Sequence, residues 1–125
     1  MLVDTNIFLE IFLNQEKKDK CKKFLEKNSS KIYLSDFSLH SIGVILFRNN
    51  KNNVYIDFIN DILPNIDLLS LNKQDYELVS LNANKYNLDF DDSYQCTIAD
   101  KFEIGIVTMD KDFKKVERNI KVNFI

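Results

Sequence analysis

The sequence predicts an α/β domain of three layers, α/β/α, with a central, mainly parallel sheet between two layers of helices. Three observations predict it. Short apolar runs alternate with longer amphipathic stretches along the whole chain, the pattern of strands joined by covering helices. A length of 125 residues leaves room for one core, so residues 1–125 read as a single domain. Finally, 45% of residues are hydrophobic, with ten Phe, two Gly and one Pro, a composition for dense packing with little irregular chain.

The elements follow in order. Met1 to Asp4 reads as the first strand. Lys17 to Lys27 reads as a helix, with Cys21, Phe24 and Leu25 as its apolar positions. Its Lys17, Lys18, Lys20, Lys22, Lys23 and Lys27 read as a solvated face rather than an RNA-contacting patch. Lys31 to Leu34 forms a second buried strand and Ser38 to Asn49 the helix after it. From Val54 to Leu63 the residues Tyr55, Phe58, Ile59 and Ile62 recur at helical spacing, and Pro64, which has no N–H to donate, stops that helix. Ile66 to Leu69 is a third buried strand, Gln74 to Ala83 and Asp92 to Phe102 are helices, Gly105 to Thr108 is a fourth strand, and Ile120 to Phe124 closes the chain. Phe8, Phe12, Phe37 and Phe47 are expected in the core or in a dimer seam.

Composition also excludes several classes. A formal charge of −2 supplies no overall field for a polyanion, so contact with nucleic acid needs a local patch or bound cations. Cys21 and Cys96 are far apart and the chain has one His, which gives neither a disulfide framework nor a zinc spacing. Both read as buried thiols. With no signal-peptide pattern and no apolar run of membrane length, a soluble, cytoplasmic protein is expected, without a membrane partner.

Chemistry enters with the acidic residues. In open parallel sheets ligands bind beyond the carboxyl ends of the strands. Asp4 follows Met1-Leu2-Val3, and Asp110 follows Ile104 to Met109, so both carboxylates leave the sheet at that edge. Asp112 is two residues further on. Asp91 and Asp92 stand where a helix begins, so three segments distant in sequence can direct carboxylates into one cleft. Crowded carboxylates repel one another unless a cation neutralises them, and Mg²⁺ or Mn²⁺ is the natural guest, since Mg²⁺ completes its shell with water and phosphate oxygens. Each acid also has a plainer reading: Asp4 as the cap of a helix starting at Asn6, Asp91 and Asp92 as caps, and Asp112 as a supporting residue.

The segments Val3-Asp4-Thr5-Asn6, Asp89-Phe90-Asp91-Asp92-Ser93 and Thr108-Met109-Asp110-Lys111-Asp112-Phe113 resemble, in content, order and spacing, the pattern of PIN domains, and the resemblance spans the whole chain. It is similar to the toxin subunits of VapBC-type toxin–antitoxin pairs. The resemblance implies that Asp4, Asp92 and Asp110 are metal-binding catalytic carboxylates, that Asp112 assists the metal, and that Asn6 and Thr108 hold these groups in place. It further implies Mg²⁺- or Mn²⁺-dependent cleavage of RNA, an antitoxin partner and a homodimer. One position departs from the family. PIN domains carry a Glu on the helix after the second strand, about six residues past a Ser; counting from Ser35, that place holds Ser41. A hydroxyl holds water but brings no charge. A second expectation is therefore a PIN-like module that binds RNA or protein without cutting. Asp36 is more than a turn away from Ser41, and a metal-dependent phosphatase is disfavoured because Asp4-Thr5-Asn6 lacks a second Asp. His40 adjoins Ser41, but neighbouring helical positions point about 100° apart, so it is not expected to serve the same cleft.

Overall fold

The computed structural model describes all of residues 1–125. Five strands form one sheet in the order β3-β2-β1-β4-β5, and every pairing is parallel. They are β1 (Leu2–Val3), β2 (Tyr33–Ser35), β3 (Asp67–Leu69), β4 (Ile106–Thr108) and β5 (Val122–Phe124). The expected three-layer α/β/α architecture is therefore present, with a sheet that is parallel throughout.

Alternation along the strands sorts the core into two halves. Leu2 and Ile106 bury against Val79, Tyr94, Ile98 and Phe113. Val3 and Val107 point the other way, into Ile7, Phe8, Ile42, Leu46 and Phe58. The first half is covered by α5 (Tyr76–Tyr86) and α6 (Phe90–Lys101), the second by α1 (Thr5–Phe12), α2 (Lys18–Lys27), α3 (Asp36–Arg48) and α4 (Asn52–Asp57). Connection handedness gives the reason. The chain runs outward from β1 to β3 and then returns past β1 to β4 and β5; right-handed crossovers in opposite directions must lie on opposite faces. Each fully buried Leu, Ile or Phe contributes roughly 1.5–3 kcal/mol.

The helix α1 was not expected as a full element. It begins directly after Asp4 and runs to Phe12. Helices α3 and α6 start two residues earlier than the sequence suggests, at Asp36 and Phe90, because Ser35 and Asp89 are their caps: Ser35 Oγ accepts from Ser38 N at 3.0 Å and Asp89 Oδ1 from Asp92 N at 3.0 Å. In place of Gln74, α5 starts at Tyr76 after a 3₁₀ turn over Lys73–Asp75. Beyond α4 the chain widens into a π-turn, Phe58–Ile62, and tightens to a 3₁₀ turn, Leu63–Asn65, around Pro64. The third strand is an edge strand, not a buried one: Leu68 is 49% exposed.

Phe8 is fully buried in the core, whereas Phe47 lies outside it, 53% exposed on α3 with its ring edge-on to Tyr55. The lysines of α2 face solvent while Cys21 is buried, as expected of a solvated face. Glu10 is an unexpected buried acid, 8% exposed, whose Oε1 accepts from Lys17 N at 2.7 Å and ties α1 to the entry of α2. With so few glycines, asparagine takes three of the four left-handed positions that follow helices, Asn14, Asn50 and Asn87 with φ of 55°, 56° and 50°, and Glu103 takes the fourth with φ of 53°. No helix is long and apolar enough to cross a membrane.

Candidate metal centre

The reversal of chain direction at β1 and β4 opens a crevice at the carboxyl ends of these two central strands. A cleft of about 240 Å³ lies there, lined by Asp4, Thr5, Asn6, Leu9, Phe37, Ser41, Ile45, Asp91, Asp92, Gln95 and Asp110. Four carboxylates and no lysine or arginine line it. Of the residues singled out from sequence, Asp4, Asn6, Ser41, Asp91, Asp92 and Asp110 share this cleft, Asp112 adjoins it, and Thr108 sits behind it. His40 is exposed and faces a different hollow, with Phe47, Arg48 and Tyr55.

Backbone geometry delivers the acids. Asp4 occupies the cap position of α1, yet its side chain makes no capping bond. Instead Asp4 Oδ2 accepts from Thr108 Oγ1 at 2.6 Å and from Asn6 Nδ2 at 2.8 Å. Thr108, fully buried at the end of β4, also accepts from Asp110 N at 2.9 Å and Asn6 Nδ2 at 3.1 Å, while Asn6 Oδ1 accepts from Met109 N at 3.3 Å. Asn6 and Thr108 thus link the two strand ends by hydrogen bonds. Asp110 Oδ1 caps the 3₁₀ turn Lys111–Val116 through Asp112 N at 2.8 Å. Asp89 performs the capping duty on α6, which leaves the Asp92 carboxylate to the cleft.

Oxygens of Asp92, Asp110 and Asp112 lie within 4.8 Å of one another. Asp4 lines the same cleft but stands outside that tightest trio. Only Asp112 has a basic partner, Lys115, at 3.7 Å. The crowding shows in proton affinity. Burial, then the charges of Asp89, Asp4, Asp110 and Asp112, push Asp92 up to about 7. Burial likewise raises Asp4 despite its bonds from Thr108, the Thr5 backbone and, more weakly, the Gln95 side chain. Asp91 is raised by burial and Asp89. Buried Cys96, pushed up to about 12 chiefly by desolvation, is no nucleophile. Asp36 is engaged elsewhere, accepting from Tyr94 Oη at 2.8 Å and Phe37 N at 2.8 Å, so it does not replace the acid absent at Ser41.

Sequence reasoning missed Gln95, whose amide nitrogen donates to Ser38 Oγ at 2.6 Å. Its Oε1 is the one buried side-chain polar atom without a partner, an arrangement that costs about 1–3 kcal/mol. Its only sequence signal is its place three and four residues after Asp92 and Asp91, on the same helical face. Hard carboxylate oxygens and an unpartnered amide oxygen suit a hydrated divalent cation such as Mg²⁺ or Mn²⁺. Asp92 and Asp110, with Asp4 and Asp112 beside them, would hold it.

A family model described as PIN domain matches residues 1–119. The chain belongs to the PIN-domain family. Solved PIN structures share its fold at low identity. The structure of FitAB bound to an IR36 DNA fragment is 17% identical, with a TM-score of 0.83 over 98% of this chain and 93% of that one. VapBC2 from Rickettsia felis, bound to a promoter DNA fragment, is 14% identical, with a TM-score of 0.78 over 99% and 97% of the two chains. VapC20 from Mycobacterium tuberculosis, a toxin that cleaves the sarcin-ricin loop, is 11% identical, with a TM-score of 0.74 over 95% of each chain. No curated protein matches this PIN domain.

Proposed function

We propose that this PIN domain is an endoribonuclease that hydrolyses RNA phosphodiester bonds with Mg²⁺ or Mn²⁺ and acts as the toxin of a toxin–antitoxin pair. The observation that carries this reading is the set of carboxylates of Asp92, Asp110 and Asp112 within 4.8 Å at the sheet's switch point, beside Asp4. A divalent cation there supplies a nucleophile-generating and charge-stabilising centre for phosphodiester hydrolysis. Asn6 and Thr108 hold Asp4 and the Asp110 backbone in register, so the acids are oriented before substrate arrives. Phe90, 54% exposed next to Asp91 and Asp92, offers an apolar face to an unpaired base. Lys111 and Lys114, exposed on the turn after Asp110, offer charge to phosphates.

The toxin role draws support from the fold shared with VapBC2 and with VapC20. An apolar groove of about 420 Å³ between α1, α2 and the end of the π-turn, lined by Phe8, Ile11, Phe12, Leu25, Ile62 and Ile66, suits an amphipathic segment of an antitoxin. A cytoplasmic homodimer completes the proposal.

The test is calorimetric titration of Mn²⁺ into the wild type and Asp110→Asn, with cleavage of a structured RNA pool alongside. Metal-dependent cleavage by the wild type, lost in Asp110→Asn together with binding and lost in Asp4→Asn with the fold intact, is the expected result. No metal binding, even with RNA present, removes the nuclease reading. Ser41 favours one alternative, a module that binds RNA or a partner without cutting; metal-independent RNA binding with no products would select it.

A further inference from the structure

Gln95 is 2% exposed and lies on α6 one turn beyond the two aspartates, where it lines the carboxylate cleft. Its amide nitrogen is committed to a buried network. Nε2 donates to Ser38 Oγ at 2.6 Å, and Ser38 Oγ also lies 2.8 Å from Thr5 Oγ1 and 3.0 Å from Ser35 Oγ. Three elements, α1, α3 and α6, meet at that hydroxyl. With Nε2 turned to Ser38, Oε1 is buried and without a partner. An apolar side chain of the same length would fill the space without that cost, and such a cost persists where a ligand repays it.

We infer that Gln95 is a positioning residue of the metal centre, its Nε2 fixing the cleft walls and its Oε1 reserved for a hydrogen bond from the hydration shell of the bound divalent cation. The inference rests on the metal site proposed above. Chemistry favours an amide over an acid here. A carboxylate at position 95 would have no hydrogen to give to Ser38 and would add a further negative charge to four crowded ones, whereas an amide donates on one side and accepts on the other. Mg²⁺ and Mn²⁺ favour hard oxygen donors and Mg²⁺ keeps several of its waters, each of them a hydrogen-bond donor. A neutral acceptor therefore adds orientation in a cleft where Ser41 brings no charge.

The experiment compares wild type with Gln95→Met, reading the melting temperature of the metal-free protein in chelator and the Mn²⁺ dissociation constant by calorimetry. Gln95→Met is expected to melt within about 3 °C of wild type or above it, and to bind Mn²⁺ about tenfold more weakly. Unchanged Mn²⁺ affinity overturns the inference, whatever happens to the melting temperature. Because a misfolded variant would also lose affinity, a second measurement uses the wild type alone, with Mg²⁺ titrated while the Gln95 side-chain amide resonances are followed by NMR. A saturable shift is expected, and resonances unmoved at saturating Mg²⁺ overturn the inference. If wild type binds neither cation, the nuclease reading falls and this inference with it; binding with an indifferent Gln95 sinks this inference alone.

Discussion

At the residue scale, the cleft is set by which side chains are spared other duties. Asp89 takes the cap of α6, so Asp92 is free; Thr108 and Asn6 take Asp4, so it is fixed. Ser41 is the position where charge is absent, and it lines the same cleft. We expect Ser41→Glu to tighten Mn²⁺ binding about tenfold, since one more charge a few ångströms from a divalent ion is worth at least 1.4 kcal/mol at a partly buried site. In chelator the same variant should melt below wild type, because its charge then only adds to the repulsion. Calorimetry and melting curves check both, and an affinity no tighter than wild type would exclude position 41 from the metal's surroundings. The acids were legible from sequence because each follows an apolar run or opens a helix. Gln95 was not, because a polar residue in a helix reads as a solvent position until tertiary packing buries it.

At the scale of elements, strands of two or three residues suffice because both faces of the sheet are covered. Gly105, just before β4, lies close against the backbone just before β5. A Cβ there would meet Lys121 O at 2.9 Å and Met1 Sδ at 2.9 Å. The Met1 side chain can move, but Lys121 O is backbone and already accepts from Ile106 N at 2.9 Å. Gly105→Ala should therefore push β5 from β4 and destabilise the protein by about 1–3 kcal/mol. Urea unfolding checks it, and an unchanged midpoint would mean that the β4–β5 edge yields freely. The strands were legible: the alternation of apolar and amphipathic segments gave the parallel sheet and placed all five strands within two residues of their starts. Helix α1 was obscured because Ile7, Phe8, Leu9, Ile11, Phe12 and Leu13 are nearly continuous, which hides a 3.6-residue period. The edge position of β3 was hidden too, since Leu68 and Leu69 look alike in sequence and only pairing decides which faces water.

At the scale of the whole molecule, a chain of net charge −2 gathers four carboxylates at the one place where its sheet topology reverses, and folding must bear their repulsion. Asp92, pushed up to about 7, records it. Its folded affinity for a proton exceeds that of an ordinary aspartate at 3.8, so the folded state holds a proton that the unfolded state has released across this window. Stability contributed by neutral Asp92 is present in full below about 3.8, declines as pH rises, and is gone above about 7. In chelator, Asp92→Asn should therefore out-melt wild type by a margin that grows from pH 4.5 to pH 7 and then levels off. A cation reverses the order. It binds the deprotonated carboxylate, so below about pH 7 Mn²⁺ must displace a proton, and its affinity should fall by up to tenfold per pH unit. Because a ligand that binds only the folded state raises stability with its affinity, saturating Mn²⁺ should lift the wild-type melting temperature more at pH 8 than at pH 6, and lift Asp92→Asn little at either. Melting curves with and without Mn²⁺ at the two pH values decide the matter. An equal lift at both would show that Asp92 enters the metal centre already ionised, its charge balanced by something other than the cation.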